Sequence, residues 1–215
     1  MAEDIFENML AKMDITQRQR AVLRASMELF ATQGFNQTST RQIAQKAGVA
    51  EGTVYKQFKT KQAILTAILT PIRELVIPQV AVDFAQNVLT RQYPELSDLV
   101  HEIFLNRLEL VDNNRNFARL MYGSFLEQPH LRQEVFDAFA KVATPFIEVF
   151  EYYQKQGKIR EGLTMESIVQ LMISTILGYT TRMILFGQHF DPHTAADEGA
   201  SLVLQGIAKN YLLGQ

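Results

Sequence analysis

Apolar residues recur at helical spacing along almost the whole chain, and no sustained period-2 run or Asn-Gly or Asp-Gly hairpin turn interrupts them. The pattern predicts a helix over about 16–33, with Val22, Ala25, Leu29 and Phe30 on one stripe and Gly34 as its stop. A second follows over about 39–46, then a turn at Ala47, Gly48 and Val49, then a short third over about 51–57. Thr60 reads as the N-cap of a fourth, along which Ile64, Leu65, Ile68, Leu69, Ile72 and Leu75 keep helical spacing. Pro71 should bend that helix unless the helix restarts there, because proline lacks the backbone donor and crowds the preceding turn. Beyond Pro78, turn residues at Pro94, Asn113, Asn114, Pro129, Gly157, Gly162, Asp191 and Pro192 mark out five or six further helices. The expected fold is all-α, with about nine or ten helices.

Two of these helices differ from the rest. The one over about 164–186 carries Ile168, Leu171, Met172, Ile173, Ile176, Leu177, Tyr179, Met183 and Ile184, and is apolar around most of its circumference. Such a helix must be covered on more than one side. The last, over about 194–213, has Ala200, Val203, Leu204, Ile207, Ala208 and Tyr211 as its apolar face. A bundle between two copies of the chain is the economical way to cover both, which makes Ile176, Tyr179, Met183, Val203 and Ile207 the candidate homodimer contacts.

Composition narrows the class. With 215 residues, 47% hydrophobic and 20% charged, the chain has material for one or two cored domains and is neither disordered nor a disulfide scaffold. It has no cysteine, hence no disulfide, thiolate nucleophile or Cys-ligated zinc. Segment 1–13 has three acids and no basic start, which argues against a secretory signal. The richest apolar stretch, 171–186, is broken by Thr180, Thr181 and Arg182 and falls short of roughly 18 apolar residues in a row. A soluble, cytoplasmic protein without a membrane partner is expected.

The net charge of -2 hides an asymmetry. Over 12–62, nine Lys and Arg face only Asp14, Glu28 and Glu51, whereas 63–215 holds 12 basic and 17 acidic residues. A basic segment on a larger acidic body is the electrostatic outline of a small nucleic-acid-binding unit joined to a regulatory or assembly domain.

Within the basic segment, 40–58 (TRQIAQKAGVAEGTVYKQF) has helix-turn-helix spacing. Ala44 is small where two helices approach, Gly48 suits the left-handed stop, and Ile43, Val49, Val54 and Phe58 offer apolar contacts to the preceding helix. Thr53, Tyr55, Lys56 and Gln57 are left on exposed faces of a very short helix, with donors suited to phosphates and base edges. An ordinary helical hairpin has the same spacing.

The run GFNQTSTRQIAQKAGVAEGTVYKQFKTK, 34–61, resembles the N-terminal DNA-binding domain of the tetracycline-repressor (TetR) family of transcriptional regulators. The likeness extends from about Thr16 to about Leu69. It implies a helix-turn-helix domain over 14–62, with the motif itself at about 39–58, and a helical effector-binding and dimerisation domain over 63–215. Carried over by position, it implies that Thr38 and Ser39, beside Thr40, cap the second helix and touch phosphate, that Gly52 permits close approach, that Thr53 and Tyr55 contact the DNA backbone, and that Lys61 opens the fourth helix and takes part in DNA binding. Arg41 and Lys56 are the plausible base readers, and Gln57 is a further candidate DNA contact. Glu51 departs from the basic residue many members carry, so it either faces a cytosine amino group or points away. The implied function is a repressor, acting as a homodimer on a palindromic double-stranded operator and released by a small effector.

The remaining signals are weaker. His189 and His193 are separated by the Asp191-Pro192 turn and share no helical face, so no metal site is expected. His101, Arg107, Arg119 and Tyr122 lie on apolar-rich helices, facing either a ligand cavity or solvent and core partners. Phe104, Phe117, Phe125, Phe136, Phe139, Phe146 and Phe150 suit an apolar or aromatic effector, and suit a plain core equally. No phosphate loop, paired-carboxylate motif or Ser-His-Asp signature appears, so neither an enzyme nor a cofactor is expected. The competing class is a helical assembly or adaptor protein whose basic segment binds a partner protein; salt-sensitive duplex binding separates the two.

Overall fold

Hydroxyl caps set where the first long helices begin. Thr16 Oγ1 accepts from Gln19 N at 3.2 Å while Gln19 Oε1 accepts from Thr16 N at 2.9 Å, a reciprocal capping box. Ser39 and Gln42 repeat the arrangement, and Thr60 Oγ1 accepts from Ala63 N at 3.0 Å. The computed structural model describes residues 4–209, and within them every side chain except those of Leu126, Glu127, Phe139, Lys141 and Val142. The described residues are helical: α1 (Ile5–Lys12), α2 (Gln17–Gln33), α3 (Thr40–Ala47), α4 (Glu51–Gln57), α5 (Lys61–Pro71), α6 (Ile77–Phe84), α7 (Leu96–Asn113), α8 (Arg115–Glu127), α9 (Pro129–Lys155), α10 (Met165–Leu185) and α11 (Pro192–Ile207). A single antiparallel bridge, Ile159 to Ala208, is the one extended pairing among them.

The chain forms two compact units, one of Met1–Gln79 with Asn114–Phe136 and one of Val80–Asn113 with Asp137–Gln215. They do not follow a division at 62/63, because α5 and α8 belong to the first unit's core. Ile64, Leu65, Ile68, Leu69, Ile72 and Leu120 are buried together with Val22, Leu23, Phe30, Ile43 and Val54. The same core takes in α1, which the sequence pattern left unassigned. Asp4 Oδ1 accepts from Phe6 N and Glu7 N at 3.0 Å, Phe6 and Leu10 are fully buried, and Ile5 N donates to Asn114 Oδ1 at 2.9 Å.

At Pro71 the fourth helix passes directly into further helical turns. A π-helical turn, Ile72–Val76, follows it and hands the chain to α6, which contains Pro78; a second, Ala85–Leu89, ends the run. Each π turn shifts the hydrogen-bond register by one residue, which is how a helical run accommodates a missing proline donor. The continuous stretch Lys61–Leu89 and the helix Met165–Leu185 are each long and apolar enough by themselves to cross a bilayer, contrary to the reading of 171–186 alone. In the first, one apolar face is taken up by the core just described.

In the second unit α7 packs along α11 and also against α10. Gly199 permits the closest approach: a Cβ there would stand 2.5 Å from Phe104 Cε1. His101 Nε2 lies 3.1 Å from Asp197 Oδ1, and His193 Nε2 lies 3.9 Å from Glu109 Oε1. The helix α11 ends at Ile207, short of the expected 213, with Ala208 extended beyond it; Tyr211 lies outside the described residues.

Candidate nucleic-acid interface

The helix-turn-helix is held by short-range devices. Gly48 adopts φ 67° and ψ 31°, the left-handed conformation, and its N–H closes onto Ala44 and Gln45 carbonyls, ending α3. Ile43 and Val54 are fully buried and Ala44 nearly so, while Val49 and Phe58 pack against the same core. The pair is therefore fixed from one side, and its other side is free for chemistry.

That other side carries Arg41, Gly52, Tyr55 and Lys56, all exposed. Arg41 and Lys56 make no hydrogen bond or ion pair among the described residues. Gly52 lies inside α4 with nothing within 4 Å of where a Cβ would stand, so its missing side chain serves no internal packing. Tyr55 is 49% exposed, and its hydroxyl lies 3.0 Å from Thr40 Oγ1. Ser39, also exposed, has its hydroxyl in the cap of α3. Thr53 and Gln57 are half-buried, not fully outward.

Two expected DNA contacts, Thr38 and Lys61, are engaged by the protein's own backbone. Thr38 is 2% exposed; its hydroxyl donates to Gly34 O at 2.8 Å and accepts from Gln33 Nε2 at 3.1 Å. The Gly34 turn, at φ 88°, brings that carbonyl back over Thr38. Lys61 Nζ donates to the carbonyls of Phe35 (2.7 Å) and Thr38 (2.8 Å) and sits 4.4 Å from the centre of the Phe35 ring. It is a clamp on the Gly-Phe turn, a role visible only once the turn is folded. Glu51 also resolves: Thr40 Oγ1 donates to Glu51 Oε1 at 2.8 Å, so the carboxylate braces α4 against α3, at a helix start where negative charge is favoured.

The candidate effector residues divide between the units. Arg119 and Tyr122, both half-buried, lie on α8 in the first; His101, Phe104 and Arg107 lie on α7 and Phe146 on α9 in the second. Phe104 is fully buried against Gly199 and is core, not cavity wall. Phe146 is half-buried and stacks on the buried Phe150 at 4.5 Å. Of the other phenylalanines, Phe117 packs on the first unit's core, Phe125 and Phe136 are exposed, and the Phe139 side chain lies outside the described residues. A cleft of about 210 Å³ in the second unit is lined by other residues, among them Glu95, Leu96, Lys158, Leu204 and Lys209.

The dimer candidates need a similar correction. Met183, Val203 and Ile207 are buried within the chain's own core, and Ile176 and Tyr179 are half-buried. The exposed apolar side chains of α10 and α11 are Leu171, Ile173, Leu177, Leu185 and Leu202, with Phe186 just beyond α10. The periodicity identified apolar helices and did not tell which face the chain keeps for itself.

Known proteins fit this geometry. Residues 22–68 match the family of bacterial regulatory proteins, tetR family. The fatty acid metabolism regulator protein of Bacillus subtilis is 23% identical over 188 residues, covering 86% of this chain and 93% of that protein. The structure of FadR from Bacillus subtilis in complex with stearoyl-CoA is similar with a TM-score of 0.61, at 22% identity and covering 86% of this chain and 97% of that one. The ketosteroid regulator KstR2 of Mycobacterium tuberculosis gives a TM-score of 0.66 at 17% identity, over 91% and 97% of the two chains. A left-handed glycine between two short helices, an outward face of Arg41, Gly52, Tyr55 and Lys56, and the match across that segment together identify residues 22–68 as a DNA-binding domain of the tetR-family type.

Proposed function

We propose that this regulator is a homodimeric repressor that holds a palindromic duplex operator through Arg41, Gly52, Tyr55 and Lys56 of each copy and leaves it when a small apolar or aromatic effector binds. The observation that carries the reading is the α3–α4 face, where two cations and a glycine have no use inside the protein. Arg and Lys supply phosphate contacts and guanine readout, and a bare glycine lets a helix backbone come close to the duplex. The exposed apolar side chains on α10 and α11, with Ile173 and Leu177 one helical turn apart, suit a two-fold contact between copies. An apolar effector accords with the stearoyl-CoA complex and the ketosteroid regulator among the similar proteins. A chromosomal regulator of this kind works in the cytoplasm.

A band-shift titration of the protein's own promoter region tests the reading. If six to ten phosphates are neutralised, affinity falls about 10³- to 10⁵-fold between 50 and 200 mM salt. Binding that ignores salt would return the adaptor reading. Leu177→Glu should give monomers in sedimentation, whereas a charge at the buried Val203 would damage the fold instead. An effector coupled by about 1–3 kcal/mol weakens operator binding roughly 5- to 150-fold, and the operator must weaken effector binding by the same factor.

A further inference from the structure

The α3–α4 face carries an acid among its cations. Two carboxylates of the basic segment are held very differently. Glu28 accepts from Lys46 Nζ at 2.5 Å, whereas the exposed Glu51 has only a hydroxyl for a partner, Thr40 Oγ1, which donates to its Oε1 at 2.8 Å. Among the described residues its Oε2 takes no hydrogen bond and no cation pairs with the carboxylate. The Tyr55 hydroxyl lies 3.0 Å from the same Thr40 oxygen and makes no other hydrogen bond among them. A threonine hydroxyl has one proton and a carboxylate only accepts, so the Thr40 proton goes to Glu51 and Tyr55 must donate to Thr40. Both hydroxyl protons run inward, from Tyr55 to Thr40 to Glu51. What this corner offers outward is acceptors alone: Glu51 Oε2 and the lone pairs of the Tyr55 oxygen.

Phosphate has no proton to give, so it repels such a corner. The donors that a duplex displays in its major groove are base amino groups, N4 of cytosine and N6 of adenine. Adenine sets its N7 acceptor beside the amino group, where it repels a carboxylate, and the guanine O6 and N7 and the thymine O4 are acceptors too. Cytosine has only a C–H beside its N4. We propose that Glu51 is a specificity-determining residue of the duplex site: Oε2 accepts from the N4 amino group of a cytosine while Oε1 stays on Thr40, and the carboxylate rejects a sequence that puts a keto oxygen there. Its charge weakens the hold on phosphate for every sequence and sharpens the choice among sequences, the reverse of what a surface lysine does. This rests on the duplex-binding reading above and adds a residue which that reading leaves out.

The test selects from a library of random-sequence duplexes with the full-length wild type, Glu51→Gln and Glu51→Ala, and then titrates the selected duplexes. The wild type should enrich cytosine at one position of the half-site, and exchanging that C·G pair should weaken binding about 5- to 150-fold. Replacing the cytosine by pyrimidin-2-one, which lacks only the amino group, should weaken wild-type binding to a similar extent and leave Glu51→Ala little changed. Glu51→Gln keeps an acceptor for Thr40 and gains a donor that suits adenine N7, so its selected base should change to adenine. Glu51→Ala should accept any base there and keep the other positions. Both variants should bind a scrambled duplex more tightly than the wild type does. A carboxylate that only braced α4 against α3 would be replaced by glutamine without effect. Glu51→Gln selecting the wild-type sequence, with Glu51→Ala alone altered in binding or melting, therefore overturns the proposal. A wild-type selection with no cytosine that responds to Glu51 also overturns it and leaves salt-sensitive duplex binding standing. If no duplex binds in a salt-sensitive way, the duplex reading falls and the proposal falls with it.

Discussion

In the α3–α4 pair, helices of eight and seven residues are joined by Gly48, Val49 and Ala50, and local devices fix them: the Ser39 box, the left-handed Gly48, the Thr40 to Glu51 hydrogen bond. In the α7–α11 pair, helices of 18 and 16 residues far apart in the chain fix each other by burial, with Phe104 against Gly199 and Leu108, Val203 and Ile207 closed away from solvent. The first arrangement leaves Arg41, Tyr55 and Lys56 facing outward. The second uses up nearly every large side chain it has, so Phe104, Val203 and Ile207 are unavailable to a ligand or a partner. A surface that recognises something is cheap to hold in place by caps and turns; a scaffold is not.

A glycine in each pair tests this contrast most severely. Gly199→Leu puts a Cβ 2.5 Å from Phe104 Cε1 and 3.2 Å from Tyr179 Cε2, and the fully buried Phe104 ring has nowhere to go. Overpacking of this kind costs about 1–3 kcal/mol, and we expect about 3, the upper end. At roughly 2–4 °C per kcal/mol for a chain of this size, Tm should fall by about 6–12 °C. A melting temperature within a degree of wild type would mean that α11 is not seated on α7 as described.

Lys61 and Lys56 come next, since both were expected to meet DNA. Lys61→Met removes charge-assisted bonds to two carbonyls of the Gly-Phe turn and should cost about 2 kcal/mol in a denaturant titration. Lys56→Ala should leave stability within about 0.5 kcal/mol and lower the slope of log affinity against log salt by about 1. If the two results exchange places, Lys61 is the phosphate contact and the clamp is incidental.

Gly52→Ala should act in the opposite sense to Gly199→Leu. The residue is helical with open space around it, so alanine gains about 0.5–1 kcal/mol of helix propensity. Operator affinity should nonetheless drop, because the added methyl stands where the duplex must approach. A stabilised variant that binds DNA as well as wild type would remove Gly52 from the interface.

The same contrast explains what could be read in the residues. Helix bounds in the first unit follow from Thr16, Gly34, Ser39, Gly48 and Thr60, whose partners lie within a few positions, so the pattern gives them almost to the residue. Orientation was harder: Thr38 and Lys61 carry donors suited to phosphate, and only the folded Gly34–Phe35 turn shows that its carbonyls claim both. The α1 helix had its signal in Asp4 with Glu7 and in Phe6, Met9 and Leu10, at a length too short to assert itself without the partner α2 offers. Which apolar side chains of α10 and α11 face inward depends on residues scores of positions away, and periodicity carries no such information.

The smallest effect concerns that overlooked helix, and it separates the two kinds of attachment within a single element. Glu7 receives Arg24 Nε at 2.6 Å, and this hydrogen bond, with the nearby positive charge, holds its carboxyl below the usual carboxylate range. A carboxylate with a lowered folded-state pKa contributes stability above its unfolded pKa of about 4.5 and loses it as pH falls through the folded value. Both side chains are more than a third exposed, so solvent screening reduces the contribution to a few tenths of a kcal/mol. Glu7→Gln should therefore be less stable than wild type by that amount at pH 7, with the difference vanishing towards pH 3. Phe6→Ala, which opens a cavity in the core, should cost about 3–5 kcal/mol at both pH values. A Glu7→Gln deficit that rivals Phe6→Ala, or that persists unchanged at pH 3, would mean that α1 is held by its ion pair and not by burial.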